Sequence, residues 1–273
     1  LGQQVALMGA FVVINGLLEL PFSLYQTFVL EERFGFNKTS IQLWLQDLLK
    51  SSLLSALIGL PFIALVVWMM GSMGTWWWLW VWGAWMGFNL LALLIYPTWI
   101  APWFNKFQPL QDADIQQRVS QLMARCGFTS KGFYVMDGSK HSAHANAYFT
   151  GFGASKRVVF YDTLLAQLSP AEVDAVLAHE LGHFKHRHVL KRIVSLFALS
   201  LVGFFALGWL GQQSWFFTGL GVAPNLFAAN DALALLLFML VLPLAGTLLS
   251  PLMAQLSRRH EFEADAYAAQ QTS

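Results

Sequence analysis

The sequence has almost no cysteine and little charge. Its single cysteine, Cys126, excludes an intramolecular disulfide and any zinc site built from thiolates, and reads as a small packed residue rather than a nucleophile. Only 11% of the residues are charged and the formal net charge is +1. No polyanionic partner is implied, and no basic and aromatic pattern points to nucleic acid. Internal repeats and low-complexity linkers are lacking too. The chain begins at Leu1 rather than a methionine and stops at Gln271-Thr272-Ser273, so it reads as a piece of a longer protein.

Apolar residues are abundant instead. They make up 56% of the chain, with 23 Phe and 12 Trp, which is too apolar for an ordinary soluble domain and points to an integral membrane protein. Five segments are long enough to span a bilayer: Val5–Val29, Ser52–Met70, Trp76–Ala101, Ile193–Leu210 and Ala232–Leu256. The first is too long, and lacks the basic flank, for a cleaved signal peptide. Trp76, Trp77, Trp78, Trp80, Trp82 and Trp85 at the start of the third read as an interfacial belt, the alternative being a stacking surface for a ligand. Asn15, Glu19 and Asn89 lie within spans. They mark either a water-filled interior or hydrogen bonding between helices and near the headgroups.

Five spans place residues 30–51, 102–192 and 257–273 on one side of the membrane. All sixteen Lys and Arg fall on that side, so the positive-inside rule makes it cytoplasmic. The expected organisation is a three-span membrane region at 1–104, an extramembrane domain at 105–191, a membrane hairpin at 192–256 and a helix at 257–273. Within the extramembrane domain Asp112–Cys126 reads as a helix, and Phe133–Met136, Ala147–Thr150 and Arg157–Tyr161 read as short strands of a small sheet.

The most informative stretch is Ser169–Arg192. Ser169, Pro170 and Glu172 carry the signs of a helix N-terminus with a capping box. Val173, Val176, Leu177, Leu181 and Phe184 then form an apolar stripe at helical spacing. On that helix lies His179-Glu180-Leu181-Gly182-His183, an H-E-x-x-H motif. Histidines four apart return to one face and can aim two imidazoles at one metal ion. Glu180 lies about 100° round the helix, where it can reach metal-bound water without being a ligand. A helix with ordinary surface histidines is the alternative, because zinc normally takes a third protein ligand.

That ligand is sought where the fifth span runs into Ser257–Asp265. Glu261 and Asp265 are four apart, on the same side of the membrane as the histidines. Glu261 can complete the site, and Asp265 can accept a hydrogen bond from a ligating imidazole. Glu263 points elsewhere on that helix; of the competing ligands, His186 and His188 lie on other faces of the first helix or beyond the metal, and His260 faces away if Glu261 faces it, so all three are set aside as ligands. A solvated charged helix is the other reading of this segment.

With these motifs in place, the chain resembles the type I CAAX prenyl proteases, membrane-embedded zinc metalloproteases of the gluzincin kind. The resemblance rests on Leu20–Val29, Glu31–Asn37, Ile100–Phe107, Asp137–Lys140, His144–Gly151 and the two metal motifs. It implies a mostly α, polytopic α-helical membrane protein with a small α+β zincin-like catalytic domain, a helical barrel around a large chamber, and one zinc ion per chain. By the same token it implies zinc on His179, His183 and Glu261, Glu180 as general base, and Asp265 as a supporting group or proton donor. Asn146-Ala147-Tyr148-Phe149 resembles the edge strand that aligns substrate in such proteases, with Asn146 contacting substrate backbone; a buried sheet strand is the alternative. Members usually have seven spans and continue to a His-Pro segment and a downstream Arg, both beyond this chain.

The implied partners are the lipid bilayer and a peptide or protein substrate, either prenylated at a C-terminal CAAX sequence or, in a bacterial member, a membrane or misfolded protein. The compact segment between Leu165 and Glu172 favours a bacterial inner membrane over the endoplasmic reticulum. A membrane quality-control metalloprotease, and a non-proteolytic zinc-binding scaffold or transporter, are the competing functions.

Overall fold

The computed structural model describes residues 1–150 and 155–272. Gly151, which ends the His144–Gly151 stretch, and Ser273 lie outside the described residues. In chain order the elements are helices α1 (Gly2–Tyr25), α2 (Ile41–Ser72), α3 (Trp77–Ile95) and α4 (Ala101–Phe104), then strand β1 (Phe107–Pro109). Helix α5 (Ala113–Arg125) and strands β2 (Thr129–Met136), β3 (Ala147–Thr150) and β4 (Ser155–Tyr161) follow. Helices α6 (Asp162–Gln167), α7 (Pro170–Lys185), α8 (His188–Leu210), α9 (Ser214–Gly219) and α10 (Asp231–Thr272) complete the chain. Five helical stretches are long and apolar enough to cross a membrane, and this is a multi-pass membrane protein.

The chain divides into two compact units. The first comprises residues 1–25, 41–92 and 194–251. Its apolar side chains face outward to an unusual degree: Leu53 and Leu57 of α2 are about two-thirds exposed. That is costly in water and favourable against lipid chains, so the exposure belongs to a bilayer-facing surface. Helix–helix contact relies on small residues. A Cβ on Gly208 of α8 would sit 2.9 Å from Trp78 of α3, which lets the two helices approach closely. Trp82 donates its indole N–H to the carbonyl of Phe197 at 3.1 Å, while Trp76 and Trp80 remain exposed. Asn15 and Asn89 each donate back to a carbonyl of their own helix, Phe11 and Trp85, which satisfies one amide donor of each without a second helix.

The second unit comprises residues 26–40, 93–193 and 252–273. Its sheet has the order β1-β2-β4-β3, with β2 and β4 parallel and the outer pairs antiparallel. The three expected strands are present. β1 was not anticipated, because three residues ending in Pro109 carry too little pattern to read as a strand. One face of the sheet, through Ala147, Phe149, Val158 and Phe160, packs on Val119, Leu122 and Met123 of α5 and Leu177 and Leu181 of α7. Asp112 caps α5 by accepting from the Ile115 N–H at 3.0 Å.

Several stretches quoted for the resemblance stitch this unit together. The carbonyl of Phe36 accepts from Ala143 N–H, and Asn37 pairs with Ser142, so residues 36–39 lie along the approach to β3. Asp137 accepts from the Lys106 N–H at 2.6 Å. Ser139 N–H donates to Asp162 at 2.8 Å. A Cβ on Gly138 would reach 2.6 Å from the Tyr161 ring, so that turn admits only glycine without rearrangement.

Candidate active site

Helix α7 starts as its sequence requires. Glu172 accepts from the backbone N–H of Ser169 at 2.8 Å and from its hydroxyl at 2.7 Å, and these bonds hold the Glu172 carboxyl below its ordinary pKa. The buried stripe of Val173, Leu177, Ala178 and Leu181 then fixes the rotation of α7 on the sheet. His179 and His183, on an adjoining face, turn toward the last part of α10.

Helix α10 runs from Asp231 to Thr272, and its last part carries the Glu261-x-x-x-Asp265 segment. Ala268 is buried in the unit's core with Tyr267 packed against it, and Ala264 is buried facing Gly182 of α7. Small residues there let α7 and α10 meet closely and bring Glu261 beside the histidines.

Three donor atoms converge: His179 Nε2, His183 Nε2 and a Glu261 carboxylate oxygen, all within 4.8 Å of one another. The two imidazole nitrogens are 3.1 Å apart, and Glu261 Oε2 lies 3.3 Å from His179 Nε2 and 3.5 Å from His183 Nε2. A tetrahedral zinc with bonds near 2.0–2.1 Å has ligand atoms about 3.3–3.4 Å apart, so this triangle fits the ion. The chemistry agrees with the spacing. His179 Nδ1 lies 2.8 Å from Asp265 Oδ1. With the ring proton on Nδ1, the Nε2 lone pair faces the other two acceptors. Such a cluster repels itself until a cation fills it.

Glu180 stands beside this triangle, half-buried on the next position of α7. Burial pushes its carboxyl above the ordinary range. His179 opposes that shift and the Glu261 carboxylate adds to it.

His188 and Glu263 were both set aside, and both belong to the site's surroundings. His188 Nδ1 lies 2.9 Å from His183 Nδ1, and its Nε2 lies 3.0 Å from Glu263 Oε2. On one continuous helix His188 would project well away from His183. The chain turns instead at Arg187, whose φ is 55°, and α8 begins at His188, folded back on His183. No periodic pattern signals a single left-handed residue. His260 stacks on His188 with centroids 4.1 Å apart, and His186 does so at 5.5 Å.

The substrate-strand candidates sit on the edge of the sheet. β3 pairs with β4 alone among the named strands, and it leads from exposed Asn146 through buried Ala147 to half-buried Tyr148. Asn146 Oδ1 accepts from the Ala147 N–H at 2.8 Å. Burial, reinforced by Tyr161 and Tyr96, pushes the Tyr148 hydroxyl up to about 12, so it stays protonated as a donor.

Comparison with known proteins agrees with this architecture. A family model described as the N-terminal region of CAAX prenyl proteases, with five membrane helices, matches residues 1–106. The model for peptidase family M48 matches residues 109–273. A CAAX prenyl protease 1 homolog of Oryza sativa subsp. japonica is 36% identical over 265 residues, covering 97% of this chain and 61% of the relative. CAAX prenyl protease 1 of Saccharomyces cerevisiae is 35% identical over 280 residues, covering 97% and 61%. The crystal structure of S. mikatae Ste24p superposes with a TM-score of 0.87 at 33% identity, over 98% of this chain and 65% of that one. These three proteins are eukaryotic, and they lend no support to a bacterial origin. The chain spans about three-fifths of the length of the curated relatives it matches. A converged two-histidine, one-glutamate triangle, a neighbouring Glu180 and matches along nearly the whole sequence lead to one conclusion: the chain belongs to peptidase family M48.

Proposed function

We propose that this chain is the membrane and catalytic part of a zinc-dependent endopeptidase that cuts near the C-terminus of prenylated proteins or related membrane substrates. The observation that carries this is the triangle of acceptors from His179, His183 and Glu261 with Glu180 at its side. A zinc ion held there supplies a Lewis acid that polarises a carbonyl and acidifies water. Glu180, whose carboxyl is pushed up by burial, takes a proton from the attacking water. It then delivers that proton to the leaving amine nitrogen, a role typically worth about 10²–10⁴-fold in rate. Asp265 fixes the tautomer and orientation of His179. The outer edge of β3, which among the described strands pairs with β4 alone, suits an extended peptide added as a further strand, beginning beside Asn146 and Tyr148.

Of the stretches expected on the catalytic side, 102–192, 257–273 and residues 30–40 fall within the second unit, while residues 41–51 belong to the first. This supports a common side for those within the second unit, and the Lys and Arg asymmetry supports the cytoplasmic one.

The test is incubation of the purified protein with a farnesylated CAAX peptide and an unprenylated control, with and without a chelator. Chelator-sensitive cleavage of the farnesylated peptide is expected. Equal cleavage of both peptides would favour a quality-control protease. Bound zinc without cleavage of either would favour a non-proteolytic scaffold.

A further inference from the structure

The two histidines of the triangle are supported differently. His179 faces a carboxylate directly, through Asp265. His183 faces another imidazole, and the carboxylate stands one ring further away. We infer that His188 is a positioning residue for His183, accepting its Nδ1–H and passing its own Nε2–H to Glu263. The inference rests on the metal reading proposed above.

The direction of each hydrogen bond follows from the geometry. A ligating His183 offers its Nε2 lone pair, so its ring proton sits on Nδ1. His188 Nδ1, 2.9 Å away, then has to be the acceptor. This places the His188 proton on Nε2, where Glu263 Oε2 accepts it at 3.0 Å. Glu263 Oε1 in turn accepts from Arg259 Nε at 3.0 Å. Each donor along His183, His188, Glu263 and Arg259 meets one acceptor.

The ring of His188 is also locked in place. It is only 4% exposed. It lies nearly parallel to the rings of His186 and His260, at 15° and 16°, and meets His183 edge-on at 71°. Burial is what makes the arrangement consequential. Without His188, the Nδ1–H of His183 faces a space where water enters poorly, and an unpaired donor there costs more than an exposed one. The lost bond also frees the imidazole to rotate away from the metal. Partners of metal-ligating histidines typically contribute about 10–100-fold in metal affinity.

The test is zinc affinity, measured by competition with a chromophoric chelator on the full chain in detergent. His188→Phe keeps a flat ring for His186 and His260 to stack on but removes the acceptor, and affinity is expected to fall by about 10–100-fold. His188→Asn restores an acceptor near the Nδ1 position, and affinity should return close to that of the unsubstituted protein. Glu263→Gln keeps an acceptor oxygen without the charge, and a smaller loss is expected. Unchanged affinity in His188→Phe overturns the inference, as does an Asn variant no tighter than the Phe variant, since ring packing alone would then explain the site. An unsubstituted protein that binds no zinc overturns the metal reading itself, and this inference with it.

Discussion

A Cβ placed on Gly182 would lie 3.1 Å from both the Cα and the carbonyl oxygen of Ala264, so α7 and α10 touch backbone to backbone at this pair. Gly182 sits inside the H-E-x-x-H motif, and Ala264 lies between Glu261 and Asp265. The contact therefore sets the spacing of the donor triangle. Gly182→Ala should force the helices apart by a few tenths of an ångström, since the neighbour is rigid backbone. We expect zinc affinity to drop by about tenfold or more, with about 1–3 kcal/mol lost from overpacking. A chelator titration checks the first figure and a thermal melt the second. An alanine variant that binds zinc normally would remove this pair from the account of the site.

Zinc should bind at one ion per chain through His179, His183 and Glu261. A His183→Ala, Glu261→Ala double variant should lose stoichiometric metal, measured by elemental analysis after gel filtration. In the unsubstituted protein, zinc at ~1,000 times its Kd should add about 4 kcal/mol of stability. Chelation should lower Tm accordingly. Full zinc retention by the double variant would move the site elsewhere.

Glu180→Gln should separate binding from chemistry. The substitution keeps size and removes the proton acceptor, so metal content should be unchanged. Turnover of the farnesylated peptide should fall by about 10²-fold or more. Near-normal turnover with bound metal would assign the base to another group.

Arg187→Gly tests the turn that returns His188 to His183. A non-glycine residue in the left-handed region costs about 1–2 kcal/mol, while glycine's looser unfolded chain gives back about 0.5–1 kcal/mol. The variant should be neutral or more stable by up to about 1.5 kcal/mol, with zinc affinity preserved. Arg187→Val, whose branched Cβ crowds that conformation, should melt lower. Destabilisation by glycine of a size similar to valine's would contradict the strain argument.

The membrane topology can be checked by cysteine labelling in a Cys126→Ser background. Gln111 and Ser214 are both exposed and are expected on opposite sides. An impermeant thiol reagent added to sealed vesicles should label cysteine at one position and spare the other. Labelling of both from one side would overturn the five-span parity.

Much of the site could be read along the chain because its signals are local. The capping box of Ser169 and Glu172, the stripe from Val173 to Leu181 and the four-residue spacing of His179 and His183 are helix properties, repeated every turn and independent of what the helix packs on. The same holds for Glu261 and Asp265, and for five apolar runs matched to a bilayer's thickness. β1 and the stacking of His260 were not legible, since three residues ending in proline have no period and ring stacking across two helices has no sequence spacing.

The sequence by itself therefore determined the long helices, three of the strands, the membrane character and which side chains could form a metal site, because these rest on periodicity and composition along the chain. Only the tertiary structure decided that Glu263 turns toward His188, that Arg187 breaks the helix so His188 can back His183, and that Gly182 meets Ala264. The first and last depend on packing between segments about 80 residues apart, where a few tenths of an ångström at one backbone contact set which donors meet, and the second on a single left-handed residue that no periodicity signals.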